Sequence, residues 1–182
     1  MIRLLAVLLA SLAIGGCATS RDLPPLPLAE YVDLDRFMGR WYVIGHIPTF
    51  LDDDHINGVE HYARNPDDSI ATTYTFQAGS VDAPRDTMSP TGFVRPDLHP
   101  GNAVWGMQFL WPIRADYRIA WLAPDYHAVI VAREARDHVW LMARTPDLPA
   151  DELAALKQRI ADMGHDMRAW RDMPQPGPYP PT

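Results

Sequence analysis

Apolar and polar positions alternate with a period of two through most of the middle of this chain, the signature of strands that bury one face. In VWGMQFL, residues 104–110, one face carries Trp105, Met107 and Phe109 and the other Val104, Gly106 and Gln108. The same period sets Tyr117, Ile119 and Trp121 against Arg118, Ala120 and Leu122, and Ile70, Thr72, Tyr74 and Phe76 against Ala71, Thr73 and Thr75. Strands are predicted over 39–47, 57–65, 69–77, 87–95, 102–110, 116–122, 126–132 and 138–144. Between them stand NPDD, RPDLHPG, WPIRA, APD and REARD, rich in the residues that make turns. No long helical period interrupts the series, so hairpins rather than crossover helices join the strands.

After the last strand the period changes. Leu153, Leu156, Ile160 and Met163 recur at spacings of three and four, predicting an amphipathic helix that starts at Asp147 or Pro149 and stops at Gly164. An all-β fold follows: an eight-stranded antiparallel up-and-down β-barrel, or calyx, with one C-terminal α-helix packed outside. Closure removes the sheet edges, and a barrel of this size holds one small ligand. With an even number of strands, the start of the first and the end of the last are neighbours at one end. Trp41 and Arg144 should therefore meet there, the guanidinium over the indole face, with Gly39 letting the chain pass close beneath.

The chain has 182 residues, 47% hydrophobic and 21% charged, which suits one globular domain. Sixteen basic residues scattered among twenty-three acidic ones, net charge −7, leave no basic groove and exclude a nucleic-acid partner. At the N-terminus Arg3 precedes a stretch, Leu4 to Ile14, that is apolar apart from Ser11 and too short to span a bilayer. Two glycines then lead to Cys17, the only cysteine in the chain. The predicted organisation is a signal peptide (1–16), Cys17 with a Pro-rich tether (17–30), the barrel domain (31–173) and a loose Pro-rich tail (174–182).

IGGC, ending at Cys17, resembles a bacterial lipobox, in which the cysteine is acylated and becomes the mature N-terminus; with two or more acyl chains the anchoring is stable. GRWY, with Gly39 and Trp41, resembles the G-x-W motif of the lipocalins. APDYHAVIV, with Asp125 and Tyr126, is similar to their second motif, and Arg144 in VWLMARTP to the lone arginine of the third. With the lipobox and the late helix, the pattern is closest to the bacterial outer-membrane lipocalins. That resemblance implies a carrier of fatty acids, lysophospholipids or similar amphiphiles, anchored through palmitate-like chains on the periplasmic face of the cell outer membrane and used in envelope maintenance under stress. It implies no cofactor, and it leaves monomer and homodimer both open.

On this reading Tyr74, Phe76, Trp105, Met107, Phe109, Tyr117 and Ile119 line the calyx, and Trp111 and Arg114 stand on its rim. The first loop, HIPTFLDDDHING, departs from the group by placing three consecutive aspartates, 52–54, over the mouth, where they would select against anionic headgroups. No catalytic residue is expected: no G-x-S-x-G elbow occurs, and His46, His55 and His61 have no regular zinc spacing. The rival readings are an enzyme on the same scaffold, which needs paired titratable groups on the wall, and a purely structural envelope lipoprotein, which needs a filled barrel.

Overall fold

The carboxylate of Asp33 accepts hydrogen bonds from the backbone N–H groups of Asp35 and Arg36, and this cap starts a single helical turn, α1 (Leu34–Phe37). The turn delivers Phe37, fully buried, to one end of the sheet that follows. The computed structural model describes residues 23–49 and 52–179; Cys17 and the predicted signal lie outside the described residues.

Strands β1 (Gly39–Ile47), β2 (His55–Arg64), β3 (Ile70–Ala78), β4 (Arg85–Met88), β5 (Thr91–Val94), β6 (Val104–Leu110), β7 (Ile113–Leu122), β8 (Ala128–Ala132) and β9 (Val139–Ala143) follow one another antiparallel, and β9 returns to pair with β1. The barrel is closed. β4 and β5 together occupy the place of the predicted fourth strand, which is broken at Ser89 and Pro90. Proline has no N–H to give a ladder, and here the Pro90 carbonyl accepts from the Thr72 N–H (3.1 Å). Among the described residues the barrel thus has eight strand positions, as the hydrophobic pattern predicted.

Alternation along the strands divides the apolar residues into two clusters. Inside the barrel lie Phe37, Trp41, Tyr62, Tyr74, Trp105, Tyr117 and Met142, with their neighbours. Outside, Ile44, Ile130, Leu141 and Ala143 meet Leu156 and Ile160 of helix α2 (Ala150–Asp162). His127 fixes the start of this helix to the barrel by bridging Asp125 and Glu152. Gly164, at φ +92°, ends it in a conformation that glycine adopts without strain. Among the described residues the register shifts at four places in the ladders, and two of them move a side chain to a face it would not otherwise occupy. Between Ile119 and Trp121 the register of β7 on β8 slips, and Trp121, expected on the inner face, lies outside beneath Arg159. A second slip, between Val43 and Gly45, brings His46 round to face Asp52.

The C-terminal residues depart from expectation. A loose tail was predicted beyond residue 173, yet 173–179 pack along the barrel. The β1–β2 ladder ends at the pair Tyr42 and Val59, and the two strands part above it. Into this seam run β10 (Arg171–Asp172), which pairs with Gly45 and His46, and then the tail itself. Met173 donates its N–H to Ile44 and buries its side chain inside the barrel; Asn57 donates its own to Pro174. The Gln175 amide spans the gap, its Nε2 donating to the carbonyls of Val43 (2.7 Å) and Gly58 (2.9 Å). Gly45 and Gly58 are small because the seam demands it: a Cβ on Gly45 would collide with the Trp170 ring, and one on Gly58 with the Met173 sulfur. Proline kept this segment from reading as structure, but a proline-rich chain can still fill a groove with side chains and carbonyls.

Replacing Gln175 with alanine removes both bridging bonds, and at roughly 1 kcal/mol net for each the protein should lose about 2 kcal/mol of stability. Urea unfolding checks this: the expected result is a lower midpoint at an unchanged slope.

Candidate functional site

One end of the barrel is shut by a stack built on Trp41. The Arg144 guanidinium lies 3.8 Å above the indole ring. Its N–H groups donate to the carbonyls of Arg40 (2.7 Å), Arg36 (2.7 Å) and Phe37 (3.0 Å), and Trp41 Nε1 donates to Phe37 (2.8 Å). Burial pulls the Arg144 group down to about 10, which still leaves it charged at neutral pH. Gly39, at φ +91°, turns the chain beside it. From the next loop, Tyr126 accepts the Asp33 N–H on its hydroxyl (2.9 Å) and stacks under Arg36, while Asp125 holds His127. The five motif residues Gly39, Trp41, Asp125, Tyr126 and Arg144 thus gather at one end.

Above this floor Phe37, Tyr62, Trp105 and Tyr117 pack ring against ring, and the Tyr62 and Tyr117 hydroxyls bond at 2.8 Å. Higher still the barrel opens into a cavity of about 200 Å³. Tyr74, Met88, Met107, Phe109, Tyr117, Val131 and Trp140 wall it, Thr49, Asp52, Asp116, Arg133 and His138 stand about its rim, and Glu60 also faces it.

Of the residues expected to line the calyx, Tyr74, Met107, Phe109 and Tyr117 face the cavity. Phe76, Trp105 and Ile119 are buried within the barrel but outside the cavity lining: Phe76 stacks under His55, Trp105 against Tyr117, and Ile119 is fully enclosed. Trp111 and Arg114 do not reach the cavity. Trp111 is 79% exposed at the tip of the β6–β7 hairpin, and Arg114 folds back over the outer face of Phe93 (3.6 Å). Strand register explains both, because the ladder slips between Met107 and Leu110 and the hairpin carries its tip clear of the mouth.

The three aspartates do not act together as a rim. Asp53 and Asp54 are exposed, but Asp52 is buried, accepting bonds from Thr49 N–H (2.6 Å) and Trp140 Nε1 (3.1 Å) and facing His46 Nδ1 (3.2 Å). Burial alone would raise its carboxyl, yet the His46 bond, nearby His138 and Thr49 together hold it well below the ordinary carboxylate range. Its charge is spent on the loop. Burial likewise lowers the imidazoles of His55 and His138. Among the described residues no three His, Cys, Asp or Glu side chains converge to hold a metal ion.

Glu60 is the residue that the sequence pattern passed over. It sits inside the barrel opposite Trp41 and Tyr74, 4% exposed, and its Oε2 is enclosed with no hydrogen-bond partner among the described residues. Burial pushes its carboxyl up to about 8. The signal that could have found it is parity: Glu60 shares its face of β2 with Tyr62, an inner residue.

A family model described as a lipocalin-like domain matches residues 32–175. The chain belongs to the lipocalin family. Among curated relatives, this lipocalin is 22% identical over 159 residues to temperature-induced lipocalin-1 of Arabidopsis thaliana, covering 82% of this chain and 83% of that one. It is 25% identical over 137 residues to apolipoprotein D of Bos taurus (74% and 72% covered) and 21% identical over 165 residues to outer membrane lipoprotein Blc of Citrobacter freundii (86% of each). Among solved structures its fold is similar to insecticyanin of the tobacco hornworm Manduca sexta, with TM-score 0.64, 15% identity and 83% and 85% of the two chains covered. Lobster apocrustacyanin A1 gives 0.62 at 11% identity, with 84% and 92% covered. The family and fold support a carrier of a small hydrophobic ligand in the cavity.

The pH dependence of folding follows from Glu60. Its carboxyl is raised from 4.5 to about 8, so the folded lipocalin holds a proton that the unfolded chain gives up between those values. This contribution is complete below pH 4.5 and is lost as pH rises through about 8. Glu60→Gln should therefore be the more stable protein at alkaline pH, by on the order of a few kcal/mol, with the gap closing in acid. Parallel denaturation series of the two proteins across this range read the difference directly.

Proposed function

We propose that this lipocalin is a lipid-anchored carrier, acylated on Cys17 and held on the periplasmic face of the outer membrane. There it binds, stores or transports a fatty-acid-like or lysophospholipid-like amphiphile and carries out no chemistry. The observation that carries the reading is the cavity: aromatic and aliphatic walls closed at the floor and open at the mouth. A distant relative that is itself named an outer membrane lipoprotein supports the location.

The path of the N-terminal segment supports the anchor. The Pro24 carbonyl accepts from Arg136 Nη2 (2.6 Å) and Leu26 donates its N–H to Glu134 (3.2 Å), both in the β8–β9 loop at the mouth, before the chain runs to the floor, where Val32 bonds Gly101. Cys17 stands six residues before Leu23, a reach of at most about 20 Å in extended chain. An acyl anchor there would hold the mouth toward the bilayer. At the same end of the barrel, clear of the mouth itself, Leu110, Trp111 and Ile113 are 71%, 79% and 68% exposed, an apolar hairpin tip suited to the interfacial layer of lipid. The rival of a purely structural lipoprotein requires that no ligand enter the cavity.

Titration of the purified lipocalin with a lysophospholipid and a matched fatty acid, followed by tryptophan fluorescence, tests the carrier reading. Saturable one-to-one binding is expected through Trp140 on the cavity wall. Failure of both to bind, with no lipid retained in native mass spectrometry, favours the structural rival. For the hairpin, acylated protein in vesicles of brominated phospholipid should lose part of its tryptophan emission, and Trp111→Phe should abolish that quenching. Equal quenching in the two proteins would remove the hairpin from the membrane.

A further inference from the structure

The cavity walls are largely apolar, yet the Glu60 carboxyl stands among them with its Oε2 unpartnered among the described residues. We propose that Glu60 is the polar anchor of the calyx, hydrogen-bonding a lipophilic ligand that enters polar end first and carries an uncharged carbonyl or hydroxyl group at that end. This rests on the reading of the cavity as the ligand site and goes beyond it by naming the class of group that the inner wall recognises.

The geometry gives three reasons. Glu60 lies one strand from Trp41 and one from Tyr74, just above the ring stack, so whatever occupies the inner end of the cavity meets it. Its enclosed Oε2 has no partner among the described residues, and a buried polar atom left so is destabilising, a cost that a ligand supplying the bond would recover. Among the described residues nothing around it supplies a counter-charge. On β2 it is flanked by Tyr62, bonded to Tyr117, and by His55, whose Nδ1 faces the Tyr74 hydroxyl (3.2 Å). On β3 and β7 it meets Tyr74 and Tyr117. His46 and Asp52 are engaged with each other, and Asp116, Arg133 and His138 stand at the rim. Arg144, on the far side of Trp41, spends its N–H groups on backbone carbonyls.

Held up to about 8 by burial, the Glu60 carboxyl is protonated at neutral pH. It then donates to a ligand carbonyl, or accepts from a hydroxyl, with no charge to desolvate on either side. A carboxylate ligand would bring a charge into a site that has no cation to meet it, and an ammonium ligand would first have to ionise Glu60. The two alternatives therefore differ in the sign of their pH dependence. Burial lowers the imidazoles of His55 and His138 and raises the phenols of Tyr74 and Tyr117, which moves both kinds of neighbour away from the range in which Glu60 titrates.

The test is a set of fluorescence titrations with 2-dodecanone, dodecylamine and dodecanoate, at about pH 6 and about pH 9.5 so as to bracket Glu60. The wild-type lipocalin, Glu60→Gln and Glu60→Leu are compared, with folding of each checked by circular dichroism. The expected result is that the ketone binds wild type most tightly at the lower pH and about tenfold more weakly at the higher. Glu60→Gln, which still donates but does not titrate, should bind the ketone equally at both pH values; Glu60→Leu should bind it about tenfold more weakly than wild type in acid. Tightest binding of dodecanoate, or tightest binding of the amine that strengthens with pH and is lost in Glu60→Gln, would overturn the proposal, as would affinities indifferent to pH and to both substitutions. Those outcomes leave the carrier reading standing. If none of the three probes binds wild type while the lysophospholipid does, this proposal falls and the carrier reading stands; if the lysophospholipid also fails to bind, both fall.

Discussion

Everything in this barrel hangs on a cation held over a ring. Arg144 closes the last strand onto the first, and it does so with a side chain that acts in two ways at once: its flat face lies on Trp41 and its edge gathers the carbonyls of residues 36, 37 and 40. Those three carbonyls belong to the end of α1 and the start of β1, where β1 pairs with β2 but the β1–β9 pairing, which begins at Tyr42 and Ala143, has not yet begun. An arginine suits the place because its fork offers several donors in one plane and it keeps its charge when partly buried. Trp41, Phe37 and Trp105 are in turn fixed from below, and the depth of the cavity is set by where their stack ends.

The opposite requirement governs the other side of β1. A closed barrel with a wide mouth must let two neighbouring strands diverge, and diverging strands leave amide groups without partners. This lipocalin resolves the conflict with its own C-terminus. Pro174 accepts through its carbonyl and Gln175 donates through its side chain, so the segment supplies both halves of a ladder without being a strand. Met173 fills the space that the missing β1–β2 side-chain contacts would have filled. Floor and seam are complementary solutions to one problem, that of ending hydrogen-bonded pairing inside a protein without leaving polar groups bare.

Much of this was legible from residues alone, for reasons that can be named. The eight strand positions came from a period-two pattern that a half-buried strand enforces, and the meeting of Trp41 with Arg144 from the arithmetic of an even meander. What escaped was whatever breaks a period. Trp121 was assigned inward because the alternation was carried past a slip in register that composition does not mark. Trp111 and Arg114 were placed on the rim by counting, but the hairpin turns its tip away. The tail was dismissed because prolines argue against regular structure, although they do not argue against packing. Glu60 was hidden by its type: a glutamate between Val59 and His61 reads as a solvent-facing residue unless the parity of its neighbours is followed.

The strap of residues 23–33 has a mechanical meaning. It bonds to the mouth loop through Pro24 and Leu26, to β7 through Ala29 and to the floor through Val32 and Asp33. A pull applied at its upstream end, along the barrel axis, loads these bonds in shear, so they share the force instead of opening one after another. The strap ends at the cap of α1, one turn from the carbonyls that Arg144 holds. Were the chain anchored upstream as proposed, tension would therefore be borne first along the outer wall and only last at the joint that keeps the barrel shut, and a pull from a membrane would not force the cup open.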